Sequence, residues 1–287
     1  MQPCDPRLTP ARPDLAAEEW RGRIEAPRYA AGRVMHVATG IADVRRAPSH
    51  DAVLDTQALY GETLILYEDQ EGWGWVQLGT DQYVGYIAMA ALSAGGLEAT
   101  HRVKVNRTLV YPCPDLKMPV RRASPLGARV RVEGQKGAFA RIGETAFVFA
   151  GHLAPVEARE ADFVGVAERF LHTPYLWGGK TSLGIDCSGL VQVALDAAGI
   201  AAPRDTDLQE QALGQPLSPK EQGTLALQRG DLIFWRGHVG IMQDATKLLH
   251  ANAHHMLVTS EDFLAARERI LAKTGEDVRT IKRLSLA

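Results

Sequence analysis

The first half of the chain carries two similar sets of short β-type segments, and this repetition limits the folds that are open to it. Three pairs of positions match at offsets of 64 to 66 residues: Gly61 with Gly127, Gly72 with Gly137, and YVGY (83–86) with FVFA (147–150). A repeat of this length is too long for a solenoid unit. It predicts a pair of small β-barrels.

The stretches on either side of the repeat have a different texture. Residues 1–31 contain five prolines and one short helical patch near 16–24, so we expect an extended N-terminal arm. After the repeat, Phe163, Val166, Ala167 and Phe170 share one helical face, and Pro174 ends that helix. We therefore predict four parts, listed in chain order: an arm (1–31), two small all-β domains (32–96 and 97–156) and an α+β domain (157–287).

The composition is that of an ordinary globular protein and excludes several classes of function. Of 287 residues, 46% are hydrophobic and 23% charged, and the net charge is −2. Without a basic excess we expect no nucleic-acid partner and no binding to a membrane surface. The N-terminus lacks the apolar core of a secretion signal, and no apolar run approaches the ~20 residues of a membrane span. These features predict a cytoplasmic protein with reduced thiols.

One of the three cysteines lies where a helix is predicted to begin. Cys187 belongs to GIDCSGLVQVALDAAG (184–199), in which apolar residues recur at helical spacing behind the cysteine. Asp186 is a candidate N-cap, and Gly199 a candidate C-terminal stop. In the first turn, unpaired backbone N–H groups and the helix dipole stabilise a thiolate. We therefore expect the pKa of this thiol to lie below its ordinary value of ~8.5.

Two histidines flank a turn-like segment further along the chain. His238 and His250 lie symmetrically about Asp244, the first residue of the turn-like DATK (244–247), which separates two apolar runs typical of a hairpin. A tight turn there would place them opposite each other or nearly so, on one face, with Cβ atoms ~4.5–5.5 Å apart. Val239 and Ile241 would then point into the core. Facing the cysteine, the two imidazoles would complete a Cys-His-His triad.

Each of these residues also has an ordinary structural interpretation. An isolated cysteine is more often a packed thiol than a nucleophile. Cys187, His238 and His250 could together bind zinc, although no fourth ligand is evident. The other cysteines are Cys4, in the predicted arm, and Cys113, in a Pro-Cys-Pro turn. Because the count is odd and CxxC spacing is absent, we expect neither a disulfide framework nor a structural zinc site. We also expect no cofactor.

Several motifs resemble known families. Four segments resemble the NlpC-type cysteine peptidases of bacterial cell-wall metabolism: YLWGGKTSLGIDCSGLV (175–191), GDLIFW (230–235), HVGI (238–241) and LLHAN (248–252). The order VRRAP…GE…GW…YVGY resembles bacterial SH3 domains, strongly in the first copy and moderately in the second. Together they resemble the γ-D-glutamyl-L-diamino-acid endopeptidases. The resemblance implies a multidomain fold, with two small all-β SH3-like barrels followed by an α+β papain-like catalytic domain.

The resemblance also implies catalytic roles. Cys187 would be the nucleophile, His238 the general base, and His250 the residue that orients His238. Tyr175 would donate to the oxyanion together with the backbone N–H of Cys187. Alternatively, Tyr175 and Trp177 are aromatic core residues.

Substrate contacts are implied around the cysteine and in the first SH3-like copy. Asp186 either caps the helix or binds a free ammonium group of the substrate. Ser188 and Thr206 are candidates to bind a D-glutamate carboxylate, and Trp177 is a further candidate for contact with the substrate. Arg204 would add positive charge or serve as a structural ion-pair partner. In the first SH3-like copy, Asp55 or Glu62 with Tyr83 or Tyr86 would complete an ammonium pocket. YVGY, which contains both tyrosines, fits a barrel strand equally well.

The implied substrate is a murein-derived peptide with a free N-terminal L-Ala. The enzyme would hydrolyse the bond between γ-D-glutamate and a diamino acid such as meso-diaminopimelate, which suits peptide recycling. Two alternatives stay open. One is an acyltransferase or amidase that uses the same triad, and the other is a wall-binding protein whose SH3 pair is the working part.

Overall fold

The computed structural model describes residues 5–217 and 227–284. The chain divides into two compact units, Met1–Ala158 and Arg159–Ala287. No helix in the described ranges is long and apolar enough to cross a membrane. Cys4 and part of the predicted polar loop before Gly230 lie outside these ranges.

The stretch predicted as an extended arm contains a small sheet instead. Its strands are β1 (Ala11–Arg12), β2 (Leu15–Ala17) and β3 (Arg28–Ala30). The predicted helical patch is a single 3-10 turn at Glu18–Trp20. The side-chain amide of Gln77 donates to the carbonyl of Leu8 at 2.9 Å, and the backbone N–H of Val84 donates to the carbonyl of Arg7 at 2.7 Å. The arm prediction is wrong for these residues because the segment packs on the β structure that follows.

The first β module, residues 33–94, is a seven-stranded antiparallel sheet. Its strands are β4 (Arg33–Val37), β5 (Ile41–Arg45), β6 (Leu54–Leu59), β7 (Thr63–Gln70), β8 (Trp73–Leu78), β9 (Val84–Ala88) and β10 (Leu92–Ala94). The spatial order is β10-β4-β7-β8-β9-β5-β6. Alternate residues face inward, as in β5, where Ala42 and Val44 are buried. The core also contains Val37, Leu64 and Ile87.

The second β module, residues 101–155, has its own core. Its strands are β11 (His101–Val103), β12 (Arg107–Tyr111), β13 (Arg122–Pro125), β14 (Arg129–Val130), β15 (Gly134–Lys136), β16 (Phe139–Gly143), β17 (Ala146–Phe149) and β18 (Leu153–Pro155). They form sheets of order β14-β11-β18 and β13-β12-β17-β16-β15. Val103, Val110 and Val148 lie in the core.

The two modules use equivalent turns, which supports the predicted repeat. The N–H of Gly61 donates to the carbonyl of Val37 at 2.9 Å, and that of Gly127 to the carbonyl of Val103 at 3.0 Å. Both glycines have positive φ, 77° and 85°, a conformation that other residues rarely adopt. Each module also ends with a 3-10 turn followed by a short strand.

The C-terminal unit combines four described helices with a six-stranded sheet. Its elements are α1 (Phe163–Glu168), β19 (Lys180–Thr181), β20 (Gly184–Ile185), α2 (Cys187–Ala197), α3 (Thr206–Ala212), β21 (Gln215–Pro216), β22 (Leu232–Trp235), β23 (His238–Met242), β24 (Lys247–Asn252), β25 (Leu257–Asp262), α4 (Phe263–Thr274) and β26 (Thr280–Arg283). The sheet is antiparallel, in the order β21-β26-β22-β23-β24-β25. Helix α3 lies where the sequence predicted only a polar loop.

Helix α2 is the central element of this unit. Nearly all its side chains are buried, and it packs on β23 and β24. Asp186 is its N-cap, and Gly199, with φ +79°, lies just beyond its C-cap. Both predicted ends of the helix are therefore confirmed. The helix therefore holds its first residue, Cys187, against strand β23.

Candidate active site

The sulfur of Cys187 lies against strand β23. The N–H of Val239 forms a hydrogen bond to this sulfur, and the Thr206 hydroxyl is 3.9 Å from it. Because Val239 directly follows His238, the sulfur meets β23 beside the residue predicted to be its base. Thr206 is the first residue of α3, so the unpredicted helix supplies part of the site.

The expected low pKa of the thiol is wrong for this structure. Burial raises the pKa of Cys187 to about 11, and the negative charge of Asp186 acts in the same direction. The hydrogen bonds from Val239 and Thr206 and the charge of Arg204 oppose this rise but are outweighed. The helix N-terminus therefore does not produce a resting thiolate, because the cysteine is only 6% exposed and water cannot solvate the anion.

The two histidines are close together, although not directly opposite. The hairpin pairs Ile241 with Leu249 and Met242 with Leu248. This register differs by two residues from a turn centred on Asp244, so His238 and His250 are diagonal neighbours on one face. Nε2 of His238 lies 2.8 Å from Nδ1 of His250. A two-residue offset keeps the face unchanged, since side chains alternate with period two.

A glutamate and an arginine extend this pair, and sequence reasoning missed both. Nε2 of His250 lies 2.6 Å from Oε1 of Glu261, and the two terminal nitrogens of Arg269 bind Glu261 at 2.5 and 2.6 Å. Glu261 is on β25, where it pairs with Leu248 of β24 and so shares the face of His250. The sequence separation of His250 and Glu261 could have indicated their contact only if the register of β24 with β25 had been known.

This hydrogen-bond chain fixes where the imidazole protons lie. A carboxylate only accepts, so Nε2 of His250 carries a proton toward Glu261 and its Nδ1 is the acceptor. The proton between the rings then belongs to Nε2 of His238. Nδ1 of His238 is left with its lone pair, which is the state that a general base requires.

Burial is the main reason that both rings are neutral. It lowers the pKa of His238 to about 3; the neighbouring His250 and the positive charge of Arg269 act in the same direction, and the negative charge of Glu261 opposes them. Burial also lowers the pKa of His250, although its hydrogen bond to Glu261 opposes this. Burial would raise the pKa of Glu261, but the hydrogen bonds from His250 and Arg269 outweigh it, and the net pKa is lowered. The site therefore rests as neutral thiol, neutral imidazoles and ionised carboxylate.

Tyr175 lies near the sulfur on the strand-like segment before α2. Its N–H donates to the carbonyl of Met256 at 2.9 Å. Burial raises the pKa of its phenol, and the negative charges of Cys187 and Asp186 raise it further. The phenol therefore stays protonated and can donate a hydrogen bond. Trp177 is 60% exposed, so its alternative interpretation as aromatic core is wrong.

Asp186 and Arg204 form a buried ion pair behind the nucleophile. The two terminal nitrogens of Arg204 bind the carboxylate at 3.0 and 2.6 Å, and one of them also donates to the Ser188 hydroxyl at 2.8 Å. The N–H groups of Gly189 and Gly178 donate to the same carboxylate at 2.7 and 2.8 Å. Arg204 is 1% exposed. The capping role of Asp186 and the structural role of Arg204 are the interpretations that these contacts describe.

No group of three histidine, cysteine, aspartate or glutamate side chains in the described part of the chain is arranged to hold a metal ion.

The sequence model of the NlpC/P60 family matches residues 172–269, a range that includes Cys187 and both histidines. The probable endopeptidase NlpC of Escherichia coli is 33% identical over 127 residues, which are 38% of this chain and 79% of that relative. The chain belongs to the NlpC/P60 family.

Other NlpC/P60 relatives match over different lengths. Dipeptidyl-peptidase 6 of Lysinibacillus sphaericus is 39% identical over 103 residues, and the match spans only 36% of each protein. The γ-D-glutamyl-L-lysine dipeptidyl-peptidase of Bacillus subtilis is 26% identical over 234 residues, 73% of this chain and 76% of the relative. A crystal structure of an NlpC/P60 family protein from Bacillus cereus has a TM-score of 0.71 at 19% identity, covering 87% of this chain and 99% of the other. It shows a shared fold.

The N-terminal unit of this NlpC/P60 protein matches a second family model. The bacterial dipeptidyl-peptidase SH3 domain matches residues 44–92, wholly inside the first β module. An SH3-like domain in front of an NlpC/P60 domain is therefore present. The SH3 character of the second β module remains a prediction.

The candidate residues in the first β module have structural partners. Asp55 is ion-paired with Arg46 at 2.6 Å, and Glu62 is buried. Tyr83 lies in the module's core, and Tyr86 is half-buried on β9. The alternative that YVGY contributes to a barrel strand therefore describes the segment well. Their part in an ammonium pocket remains a prediction.

Proposed function

We propose that this NlpC/P60 protein is a cysteine peptidase that hydrolyses the γ-D-glutamyl–diamino-acid bond of murein-derived peptides with a free N-terminal L-Ala. The observation that carries the proposal is the hydrogen-bond chain from Glu261 through His250 to His238, ending beside Cys187. Its polarity leaves a basic nitrogen for the thiol. The names of the Bacillus subtilis relative and of the matching SH3 domain support the dipeptidyl-peptidase type.

The reaction follows from the resting protonation states. As sulfur attacks the γ-glutamyl carbonyl carbon, the thiol proton passes to Nδ1 of His238, so that no separated ion pair is needed beforehand. Tyr175 and the N–H of Cys187 donate to the oxygen that becomes negative. His250 and the Glu261 carboxylate stabilise the imidazolium that forms on His238.

Collapse of the tetrahedral intermediate breaks the carbon–nitrogen bond. His238 returns its proton to the leaving amine of the diamino acid, and the γ-glutamyl group remains on Cys187 as a thioester. Water then attacks this thioester while His238 accepts a proton from it and returns one to the sulfur. The products are L-Ala-D-Glu and a peptide that begins with the diamino acid.

The acyl side of the site suits a small anionic residue. Thr206, partly exposed beside the sulfur, and Ser188 are our candidates to bind the α-carboxylate of D-glutamate. Asp186 already accepts protein hydrogen bonds at both oxygens, so an L-Ala ammonium would share an occupied carboxylate. Exposed Trp177 is available to cover the bound peptide.

A requirement for a free L-Ala amine suits peptides that have been released from the glycan. We therefore place the protein in the recycling of such peptides and propose a cytoplasmic location for it. Tripeptides with a free and with an acetylated amine, compared by mass spectrometry of the products, test this requirement. Equal cleavage of the two would contradict it.

Replacement of the nucleophile tests the activity itself. Cys187→Ala should abolish cleavage of L-Ala-γ-D-Glu-diaminopimelate while leaving the fold intact, because the covalent step is lost. Cys113→Ala, which removes the other described thiol, is the matched control and should keep full activity. Full activity in Cys187→Ala would end the hypothesis. Transfer of the acyl group to an added amine in preference to water would favour the acyltransferase alternative, and strong retention on purified sacculus would favour the wall-binding one.

A further inference from the structure

A pocket of about 220 Å³ adjoins the histidine pair in the C-terminal unit. His238 and His250 line it, together with residues of the last turns of α4 and the residues just after that helix. Cys187, Tyr175 and Thr206 do not line it. The pocket thus borders the base of the site without including the groups that would face the acyl part of a substrate.

The charge of this pocket is predominantly positive. Arg236, Arg269 and Lys273 line it, with Glu276 as the lining carboxylate. Arg236 is 3.1 Å from Glu276, and Arg269 is bound by Glu261, whereas Lys273 has no ion-pair partner among the described residues.

His254, which also lines the pocket, responds to this charge. Its pKa is lowered by desolvation and by the positive charges of Arg269, His255 and Lys273. The pocket therefore favours an anionic group over a cationic one.

The position of the pocket relative to the reaction identifies the part of the substrate that it meets. The leaving amine takes its proton from His238, so the residue that carries this amine must lie beside that imidazole. In the proposed reaction this residue is the diamino acid. Its side chain can then enter the pocket that His238 and His250 line together with the cationic residues.

We propose that this pocket binds the side-chain carboxylate of the leaving diamino acid through Lys273 and Arg236, and so selects diaminopimelate over lysine. The proposal rests on the function proposed above. Diaminopimelate ends in a carboxylate and an ammonium, for which Lys273 and Glu276 are the respective partners. A lysine side chain ends in an ammonium alone and meets two arginines and a lysine. The free α-carboxylate of a tripeptide is a second possible anion, and the experiment separates the two.

The test compares four tripeptides that share L-Ala-γ-D-Glu. The third residue is meso-diaminopimelate or L-lysine, and its α-carboxyl group is either free or amidated. We expect kcat/KM to favour diaminopimelate about fivefold or more with both forms of the α-carboxyl group, the effect of one well-placed charge pair. Lys273→Glu should abolish or reverse this preference, a change that simple loss of stability cannot produce.

Lys247→Glu is the matched control. It makes the same charge change at the exposed first residue of the otherwise buried strand β24, at the end remote from the pocket-lining Asn252. This variant should keep the wild-type preference. A Lys273→Glu enzyme with unchanged preference would overturn the pocket assignment while leaving the peptidase function intact. A preference that follows the free α-carboxyl group would overturn selection of the diamino acid. If the wild-type protein cleaves none of the four peptides, the proposed function itself fails.

Discussion

At the residue scale, the most informative feature is a carboxylate one step beyond the predicted triad. Glu261 touches neither the sulfur nor, in the proposed reaction, the substrate, so it is a positioning residue. It orders the protons of both imidazoles through His250 and supplies the negative charge that an imidazolium on His238 requires. Arg269 holds the carboxylate in place with two hydrogen bonds. The protonation state of His238 therefore depends on His250, Glu261 and Arg269 together, and not on His250 alone.

Neutralising this carboxylate should slow the chemical step. Glu261→Gln should lower kcat by about 10- to 100-fold, as for other partners that orient a functional histidine, with KM nearly unchanged. Steady-state kinetics on the diaminopimelate tripeptide measure both. Glu268→Gln makes the same change on an exposed position of α4 and should have no effect. An equal loss in both variants, or a change confined to KM, would contradict the positioning role.

At the element scale, the close approach of α2 to the preceding loop fixes the position of the nucleophile. A side chain at Gly189 would overlap the backbone carbonyl oxygen of Gly179, which cannot move without displacing the loop beside the site. The N–H of Gly189 also binds Asp186, so the first turn is held at the N-cap as well. Glycine is required here for contact rather than for backbone freedom.

Two helix glycines allow this to be tested against a matched control. Gly189→Ala should destabilise the protein by about 1–3 kcal/mol, because the overlap outweighs the better helix propensity of alanine. In Gly165→Ala on α1 the nearest atom is a carboxylate oxygen of the N-cap Asp162, at 3.0 Å, so a small shift of this side chain relieves the contact while its bonds to Val164 and Arg229 are kept. That variant should be neutral or stabilising by up to about 1 kcal/mol. Urea denaturation measures both, and the reverse order of stability would refute the packing argument.

At the scale of the whole molecule, half-buried His238 and buried His250 link the stability of the C-terminal unit to pH. The pKa of His238 is about 3 in the folded protein, below its ordinary value of 6.5, and that of His250 is shifted in the same direction. The unfolded chain thus binds protons more readily between these values. Stability is fully present above about pH 6.5 and is lost as the pH falls toward 3.

The acid sensitivity should therefore depend on these side chains. Between pH 6.5 and 4, protonation of His238 should lower the free energy of unfolding by at most about 1.4 kcal/mol per pH unit. The unfolding free energy of His238→Gln should therefore fall less steeply with pH than that of the wild type. Urea denaturation at each pH gives the free energies, and hydrogen exchange of peptides from β22 to β24 assigns the change to this unit. Parallel curves for wild type and variant would contradict the linkage.

The sequence by itself determined the features that depend on local patterns. Helical spacing with Asp186 and Gly199 located the helix that carries Cys187, strand alternation put His238 and His250 on one face, and the repeat indicated two β modules. Tertiary structure alone decided the two-residue offset of the hairpin, the pairing of His250 with Glu261, the packing of residues 5–30 and the raised pKa of the thiol. Periodicity and helix capping depend on residues that are close together in the sequence. Register, burial and desolvation arise only when segments far apart in sequence come into contact, which is why they had to be observed.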